Sequence, residues 1–131
     1  MVHFENSYQY GKIQEKKVQP IIQDFFNRDI KMNPERYAKY DFHDEEFQYE
    51  LKSRTNKLNT YPDTMITFNK ITDEKPLILL FNYTDCLAYI EYEKELFSTF
   101  RKQMFSRANI DIDEKEHVFI PIEHLKIIKL F

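Results

Sequence analysis

The sequence predicts one α/β domain over residues 1–131, built on a central mixed β-sheet flanked by helices. Three patterns predict this class. Apolar residues recur at roughly helical spacing between Ile13 and Phe26, which indicates an amphipathic helix. Residues 47–52 alternate between apolar and polar side chains, as in a half-buried strand. Residues 77–81 form an unbroken apolar run, which is typical of a strand buried on both faces.

The N-terminal part is expected to contain one helix and two strands. The helix covers residues 11–29, and Pro20 predicts a kink or a break within it. Asn33-Pro34 is a turn signal. Antiparallel strands are expected to follow over 36–42 and 46–54, joined by polar residues.

The rest of the chain is expected to alternate between helices and strands. Thr60 suits an N-cap and Pro62 suits a first helical turn, so a short helix is expected to begin here. The elements expected after it are strands over 76–81 and 86–92, a helix over 93–107, a strand over 118–122 and a terminal helix or turn over 123–131.

Composition excludes several kinds of site. A single glycine cannot supply a Gly-rich phosphate loop or a dinucleotide fingerprint. Cys86 is the only cysteine, which excludes an intrachain disulfide and a cysteine metal cluster. No apolar run approaches the ~18 residues of a transmembrane helix, and the N-terminus lacks a signal-peptide pattern. We therefore expect a soluble, intracellular protein without membrane contact.

The net charge of −3 counts against a general coat on nucleic acid, which would be basic. An enzyme that clusters acids around Mg²⁺ can nevertheless be acidic overall. The composition, rich in Lys, Ile, Asn, Phe and Tyr, suggests an AT-rich genome. A large DNA virus or phage is the source that this favours, in which case the protein would act in the host cytoplasm or nucleus.

The segment Glu50-Leu51-Lys52 is the first candidate for chemistry. Glu50 and Lys52 leave the predicted strand on one face, and Leu51 leaves it on the other. With Asp41 on the preceding strand, two carboxylates and an amine could hold a divalent cation and prepare a water for attack on a phosphate. An acid two positions before a lysine occurs five times in the chain, so the strand context carries the hypothesis.

Each candidate residue has an expected role and a plainer alternative. Asp41 and Glu50 are the expected ligands of Mg²⁺ or Mn²⁺, with the backbone carbonyl of Leu51 as a third. Lys52 would orient the water and stabilise negative charge on the phosphate. The alternative is a solvated surface ion pair. Glu15 is an accessory acid or, equally, a helical acid paired with nearby lysines.

Five further residues are candidate contacts to nucleic acid: Lys17, Ser53, Arg54, Lys57 and Lys70. Cationic side chains bind phosphates, and arginine can do so with two parallel hydrogen bonds. For each of them the alternative is an ordinary solvated surface residue.

The chain resembles the PD-(D/E)xK nuclease superfamily, which has the restriction-endonuclease-like fold. The resemblance rests on Asp41, on Glu50-Leu51-Lys52 and on the helical acid Glu15 that follows Gly11. The strand is also similar to that of small Holliday-junction resolvases. The resemblance implies Mg²⁺-dependent hydrolysis of phosphodiester bonds, with the residue roles given above. Asp41 follows Tyr40 instead of the proline of the motif, and the acidity differs from that of basic junction resolvases.

Two functions follow as hypotheses. The first is a DNA endonuclease in repair, recombination or viral genome processing, with RNA as the alternative substrate; a homodimer would suit it, because twofold symmetry places two sites on a duplex. The second is a non-catalytic module that binds nucleic acid or protein on the same fold, favoured by the negative charge and the many Phe and Tyr residues. Convergence of Asp41, Glu50 and Lys52 in space would favour the nuclease, and its absence would favour the non-catalytic module.

Overall fold

The computed structural model describes residues 3–35, 38–67, 71, 75–105 and 115–131, which form a mixed α/β structure. The helices in these ranges are α1 (His3–Phe26) and the one-turn α2 (Lys94–Phe97). The strands are β1 (Lys31–Met32), β2 (Phe42–His43), β3 (Gln48–Ser53), β4 (Asp63–Thr67), β5 (Leu77–Asn82), β6 (Cys86–Glu91), β7 (Lys102–Phe105), β8 (Lys115–Pro121) and β9 (Lys126–Leu130).

The strands form two sheets. The larger is a six-stranded mixed sheet in the order β1-β2-β3-β5-β6-β9, and the smaller is an antiparallel sheet in the order β4-β8-β7. Strands β3 and β5 are parallel, with Glu50 opposite Leu79, so the chain between them crosses over through β4 of the second sheet. No helix in the described part of the chain is both long and apolar enough to cross a membrane.

Strand β5 separates two apolar cores. Ile78 and Leu80 pack under α1, while Leu77, Leu79 and Phe81 pack against the second sheet. All five side chains are buried, so the prediction of a strand buried on both faces is confirmed. Burying side chains of this size contributes about 1.5–3 kcal/mol each, which makes this strand the centre of the structure.

The smaller sheet covers much of the face of the larger sheet opposite α1, where the one-turn helix α2 also contributes Phe97 to the core. The predicted helix after Thr60 is strand β4, in which buried Thr64 and Ile66 alternate with exposed Met65. This two-residue period and the pairing of β4 with β8 outweigh the helix-start signal at Pro62.

The predicted helix over 93–107 is also wrong over most of its length. Helix α2 ends after one turn, where the hydroxyls of Ser98 and Thr99 donate to the carbonyls of Glu95 and Leu96. Such local bonds compete with a continuing helix. The chain then enters β7, and residues 106–107 lie outside the described residues. At the C-terminus, a short turn over Ile122–His124 precedes β9, so the predicted terminal helix or turn over 123–131 is wrong for most of its length, which is strand.

The N-terminal elements differ from the prediction in their limits. Helix α1 begins earlier than residue 11 and continues through Pro20 without a break. The strand predicted over 36–42 is wrong where the structure describes it, because β2 begins only at Phe42 and residues 36–37 lie outside the described ranges. Asp41 therefore lies immediately before β2 and not within a strand. The strand predicted over 46–54 is confirmed as β3.

Candidate functional site

The acidic side chains of Glu15 and Asp41 lie against each other where α1 passes the start of β2. Glu15 is 7% exposed, and burial together with the charge of Asp41 raises its pKa above the ordinary value of a glutamate. The ammonium of Lys12, 3.2 Å from Glu15 Oε1, acts in the opposite direction. Ionised carboxylates accept but do not donate hydrogen bonds, so two in contact require a shared proton or a cation.

The position of Asp41 is determined by strand β3. Its Oδ2 accepts a hydrogen bond of 2.8 Å from the backbone N–H of Leu51. Its own backbone N–H donates to the carbonyl of Tyr49 at 3.0 Å. The carboxylate is therefore attached to β3 at the residue that follows Glu50.

Asn33 holds the segment that carries Asp41, a role that was not predicted from the sequence. Its backbone N–H donates to the carbonyl of Asp41 at 2.9 Å, and its side-chain amide donates to the carbonyl of Tyr40 at 2.7 Å. Its Oδ1 also contacts the ring nitrogen Nδ1 of His43. The only signal in the sequence is the turn-forming pair Asn33-Pro34, which gives no indication of the distant partners.

Glu50 and Lys52 form an ion pair on the same face of β3. Lys52 Nζ lies 3.3 Å from Glu50 Oε2. Glu50 is 4% exposed, so this pair is not the solvated surface pair that was the plainer alternative. Leu51 leaves the opposite face and packs with the core under α1. The predicted side-chain directions on this strand are therefore confirmed.

A small cleft, here called the acidic cleft, opens above the pair of carboxyl groups. It has a volume of about 180 Å³, and its lining includes Glu15, Glu35 and Asp41 together with Lys12 and Gly11. Glu50 and Lys52 are not among the described residues that line it. Within the described ranges, no group of three or more His, Cys, Asp or Glu residues is placed so that it could hold a metal ion.

Gly11 lies away from the ends of α1 and borders the acidic cleft. A Cβ atom at this position would meet no atom within 4 Å. Packing therefore does not require glycine here, although glycine in a helix interior costs about 0.5–1 kcal/mol relative to alanine. The absence of a side chain keeps the mouth of the cleft open beside Glu15.

A second cleft, here called the basic cleft, lies between α1 and the carboxyl ends of β3 and β5. Its volume is about 380 Å³. Two of the predicted nucleic-acid contacts, Lys17 and Arg54, line it. Of the others, Ser53 ends β3, Lys57 is exposed just before a short turn, and Lys70 lies outside the described residues.

Arg54 is held at the edge of the basic cleft by the second sheet. Its guanidinium donates to Thr64 Oγ1 at 3.1 Å and to the carbonyl of Met65 at 2.6 Å. Burial lowers its pKa, while the neighbouring hydroxyl of Tyr83 acts in the opposite direction. The guanidinium also lies 5.7 Å from the ring centre of Phe81. These contacts restrict the side chain before any ligand binds.

Asp44 is a further buried acid, and its partners give it a structural role. Its carboxylate accepts hydrogen bonds from Arg28 at 2.8 Å, from the hydroxyl of Tyr49 at 2.5 Å and from the backbone N–H groups of Glu46 and Phe47. Burial alone would raise the pKa of Asp44, but these bonds lower it to about 2. Asp44 thus ties the β2–β3 turn to the chain that follows α1.

No protein-family model matches the sequence, and no curated protein or solved structure matches it. The resemblance to the PD-(D/E)xK superfamily therefore stays a prediction that rests on Glu15, Asp41, Glu50 and Lys52.

Proposed function

We propose that this protein is a metal-dependent nuclease that hydrolyses phosphodiester bonds in DNA, on a restriction-endonuclease-like fold. The observation that carries the proposal is that Glu15 and Asp41 line one small cleft, where their carboxyl groups interact, next to the strand that bears the Glu50–Lys52 ion pair. Burial of acids beside each other costs stability unless a proton or a cation is shared. Lys12 offsets part of this cost at Glu15, and a cation bound by both acids would offset more of it.

The oxygen atoms of this region suit Mg²⁺ or Mn²⁺. These ions prefer carboxylate and carbonyl oxygens and keep several water ligands. Glu15, Asp41 and Glu50, with the carbonyl of Leu51, are the groups that would hold the ion. When bound, the ion would supply Lewis-acid stabilisation of the phosphate and activation of a water.

Lys52 would act next to these acids. Its ammonium is 3.3 Å from a carboxylate oxygen of Glu50. A charged lysine orients a water and stabilises negative charge that develops on a phosphate, but it is a poor proton acceptor. We therefore assign Lys52 to positioning and charge stabilisation.

The test is cleavage of labelled duplex, single-stranded and branched DNA, and of RNA, with Mg²⁺ or Mn²⁺ and with EDTA. Wild-type protein should cleave at least one substrate only when metal is present. Asp41→Asn and Lys52→Ala should each lower the rate by about 100-fold or more. Circular dichroism would establish that both variants remain folded.

Matched controls are available on the same elements. Asp24→Asn changes an exposed acid of α1, and Lys126→Ala changes an exposed lysine of β9. Both should cleave at the wild-type rate. Folded wild-type protein that cleaves none of the substrates with either metal would refute the proposal, as would full activity of Asp41→Asn.

The second candidate is a non-catalytic module that binds nucleic acid or protein. The observation that favours it is that no group of metal-ligating residues is assembled within the described ranges. In that case the contact between Glu15 and Asp41 would be a structural pair that shares one proton. Metal would then change neither the melting temperature nor the integrity of any nucleic acid.

A further inference from the structure

The acidic cleft and the basic cleft lie on neighbouring faces of α1 and differ in charge. Glu15 lines the acidic cleft, and the preceding residue Gln14 lines the basic cleft. The described lining of the basic cleft includes Lys17 and Arg54 and contains no Asp or Glu. Two cationic side chains in a lining without Asp or Glu suit an anionic ligand.

The two cations are available to a ligand. Lys17 is exposed and forms no salt bridge within the described part of the chain. Arg54 is anchored on Thr64 and Met65 through Nε and Nη2, which leaves Nη1 without a hydrogen-bond acceptor among the described residues. A cation that is already fixed in position loses little conformational freedom when it binds an anion.

The cleft also offers an aromatic surface and fixed amide groups. Tyr10 lines it and is 49% exposed, which is a large exposure for an aromatic side chain on a packed helix. The amide of Asn82 donates to Gln14 Oε1 at 3.0 Å, which connects β5 to α1 inside the cleft. A cation pair beside an exposed ring combines the two contacts that single-stranded nucleic acid receives from proteins, charge for the phosphate and stacking for the base.

Size limits the ligand further. A volume of about 380 Å³ is near the lower end of the ~300–1,000 Å³ of small-ligand pockets, so it suits one nucleotide and not a double helix. Base faces inside a duplex are covered by their neighbours and reach a protein ring only after unstacking. A nucleotide that enters a cleft of this size would therefore have to be unpaired.

We propose that the basic cleft binds one unpaired nucleotide of a single strand, with the phosphate on Lys17 and Arg54 and the base on Tyr10. This inference rests on the proposed function for its substrate class. Arg54 follows Ser53, the last residue of β3, so the cleft lies at the end of the strand that carries the Glu50–Lys52 pair. The substrate would then be single-stranded DNA, or duplex DNA with unpaired ends or branches.

The experiment measures binding by fluorescence anisotropy in EDTA, so that cleavage does not interfere. The probes are labelled oligothymidylate and oligouridylate of about eight nucleotides, within the ~4–16 nucleotide site sizes of small single-strand-binding folds, and a labelled duplex. Wild-type protein should bind a single strand more tightly than the duplex. The two single strands distinguish DNA from RNA as the source of the nucleotide.

Variants of the cleft give the specific readout. Tyr10→Ala should weaken binding about 5- to 100-fold through loss of stacking, while Tyr10→Phe should stay close to wild type. Lys17→Ala should weaken binding and lower the slope of log K against log salt by about 0.7, the value for one phosphate contact on a single strand. The matched controls Ile13→Ala and Lys16→Ala change exposed residues of α1 outside the cleft and should bind normally.

The outcomes separate this inference from the proposed function. Wild-type-like binding by Tyr10→Ala and Lys17→Ala refutes the proposed nucleotide site in the basic cleft, even if metal-dependent cleavage is found. Absence of single-strand binding refutes it as well. Single-strand binding that depends on Tyr10 and Lys17 in a protein that cleaves nothing would support the cleft and reject the nuclease.

Discussion

The carboxylate of Asp41 accepts the backbone N–H of Leu51 at 2.8 Å. Strand β2 pairs only with Gln48 and Tyr49 of β3, so the ladder between these strands ends before Leu51. The side chain of Asp41 replaces the next acceptor of that ladder, because a buried N–H without a partner costs stability. One residue thus completes a sheet edge and presents an acid to Glu15.

This double role predicts different results for two substitutions of Asp41. Asp41→Ala removes the acceptor and should lower the free energy of unfolding by about 1–3 kcal/mol. Asp41→Asn keeps an acceptor oxygen and should cost less. Urea unfolding followed by circular dichroism measures both, and equal losses would show that the bond to Leu51 contributes nothing.

Glu15→Gln is expected to stabilise the protein at neutral pH in the absence of divalent metal. The pKa of Glu15 is raised in the folded state by burial and by Asp41. The stability linked to its protonated form is present below the unfolded pKa and is lost as the pH rises through the folded pKa. The gain in the variant should therefore be seen at pH 7 and disappear near pH 4, as measured by thermal unfolding across pH. A loss of stability at pH 7 would contradict the assigned contact.

Mg²⁺ should raise the melting temperature of the wild-type protein if the acids bind it. A ligand that binds only the folded state stabilises by about 2.7 kcal/mol at a concentration 100 times its Kd. Differential scanning fluorimetry with and without Mg²⁺ would detect this. The rise should be absent in Glu15→Gln and Asp41→Asn and retained in Asp24→Asn, and an equal rise in all of them would indicate binding elsewhere.

Gly11→Ala should separate stability from activity. The new Cβ meets no atom within 4 Å, so the helix should gain about 0.5–1 kcal/mol. If the acidic cleft admits substrate, the same methyl group at its mouth should lower kcat/KM. Higher stability with unchanged cleavage would show that the cleft is not used, and lower stability would contradict the open space beside α1.

Asp44→Asn should alter the acid sensitivity of the fold. The pKa of Asp44 is lowered to about 2 from 3.8, so the stability it contributes is present above pH 4 and is lost as the pH falls toward 2. At 1.36 kcal/mol per pKa unit this is roughly 2 kcal/mol. The variant should be weaker at pH 7 and differ little from wild type at pH 2 in urea unfolding. Glu45→Gln, at an exposed neighbouring position, is the control and should follow the wild-type pH profile.

Local sequence patterns were sufficient to predict an element where the pattern lies within that element. The alternation over 47–52 predicted β3 and the directions of Glu50, Leu51 and Lys52, because successive side chains of a strand always point to opposite faces. The apolar run predicted β5, because only a strand covered on both faces tolerates apolar residues at every position. Helix α1 followed from its spacing, although its limits and its continuity through Pro20 did not.

The tertiary structure decided everything that depends on a distant partner. Strands β4, β7 and β9 form because β8 and β6 supply their hydrogen bonds. The strand propensity of a short sequence segment does not indicate which distant strand it will pair with. The contact of Glu15 with Asp41 and the meeting of Lys17 with Arg54 in the basic cleft arise in the same way, from the packing of α1 across the sheet. The sequence by itself determined which residues on β3 carry the acid and the amine. Only the fold decided which distant residues share a cleft, because that proximity is produced by packing between elements far apart in the chain.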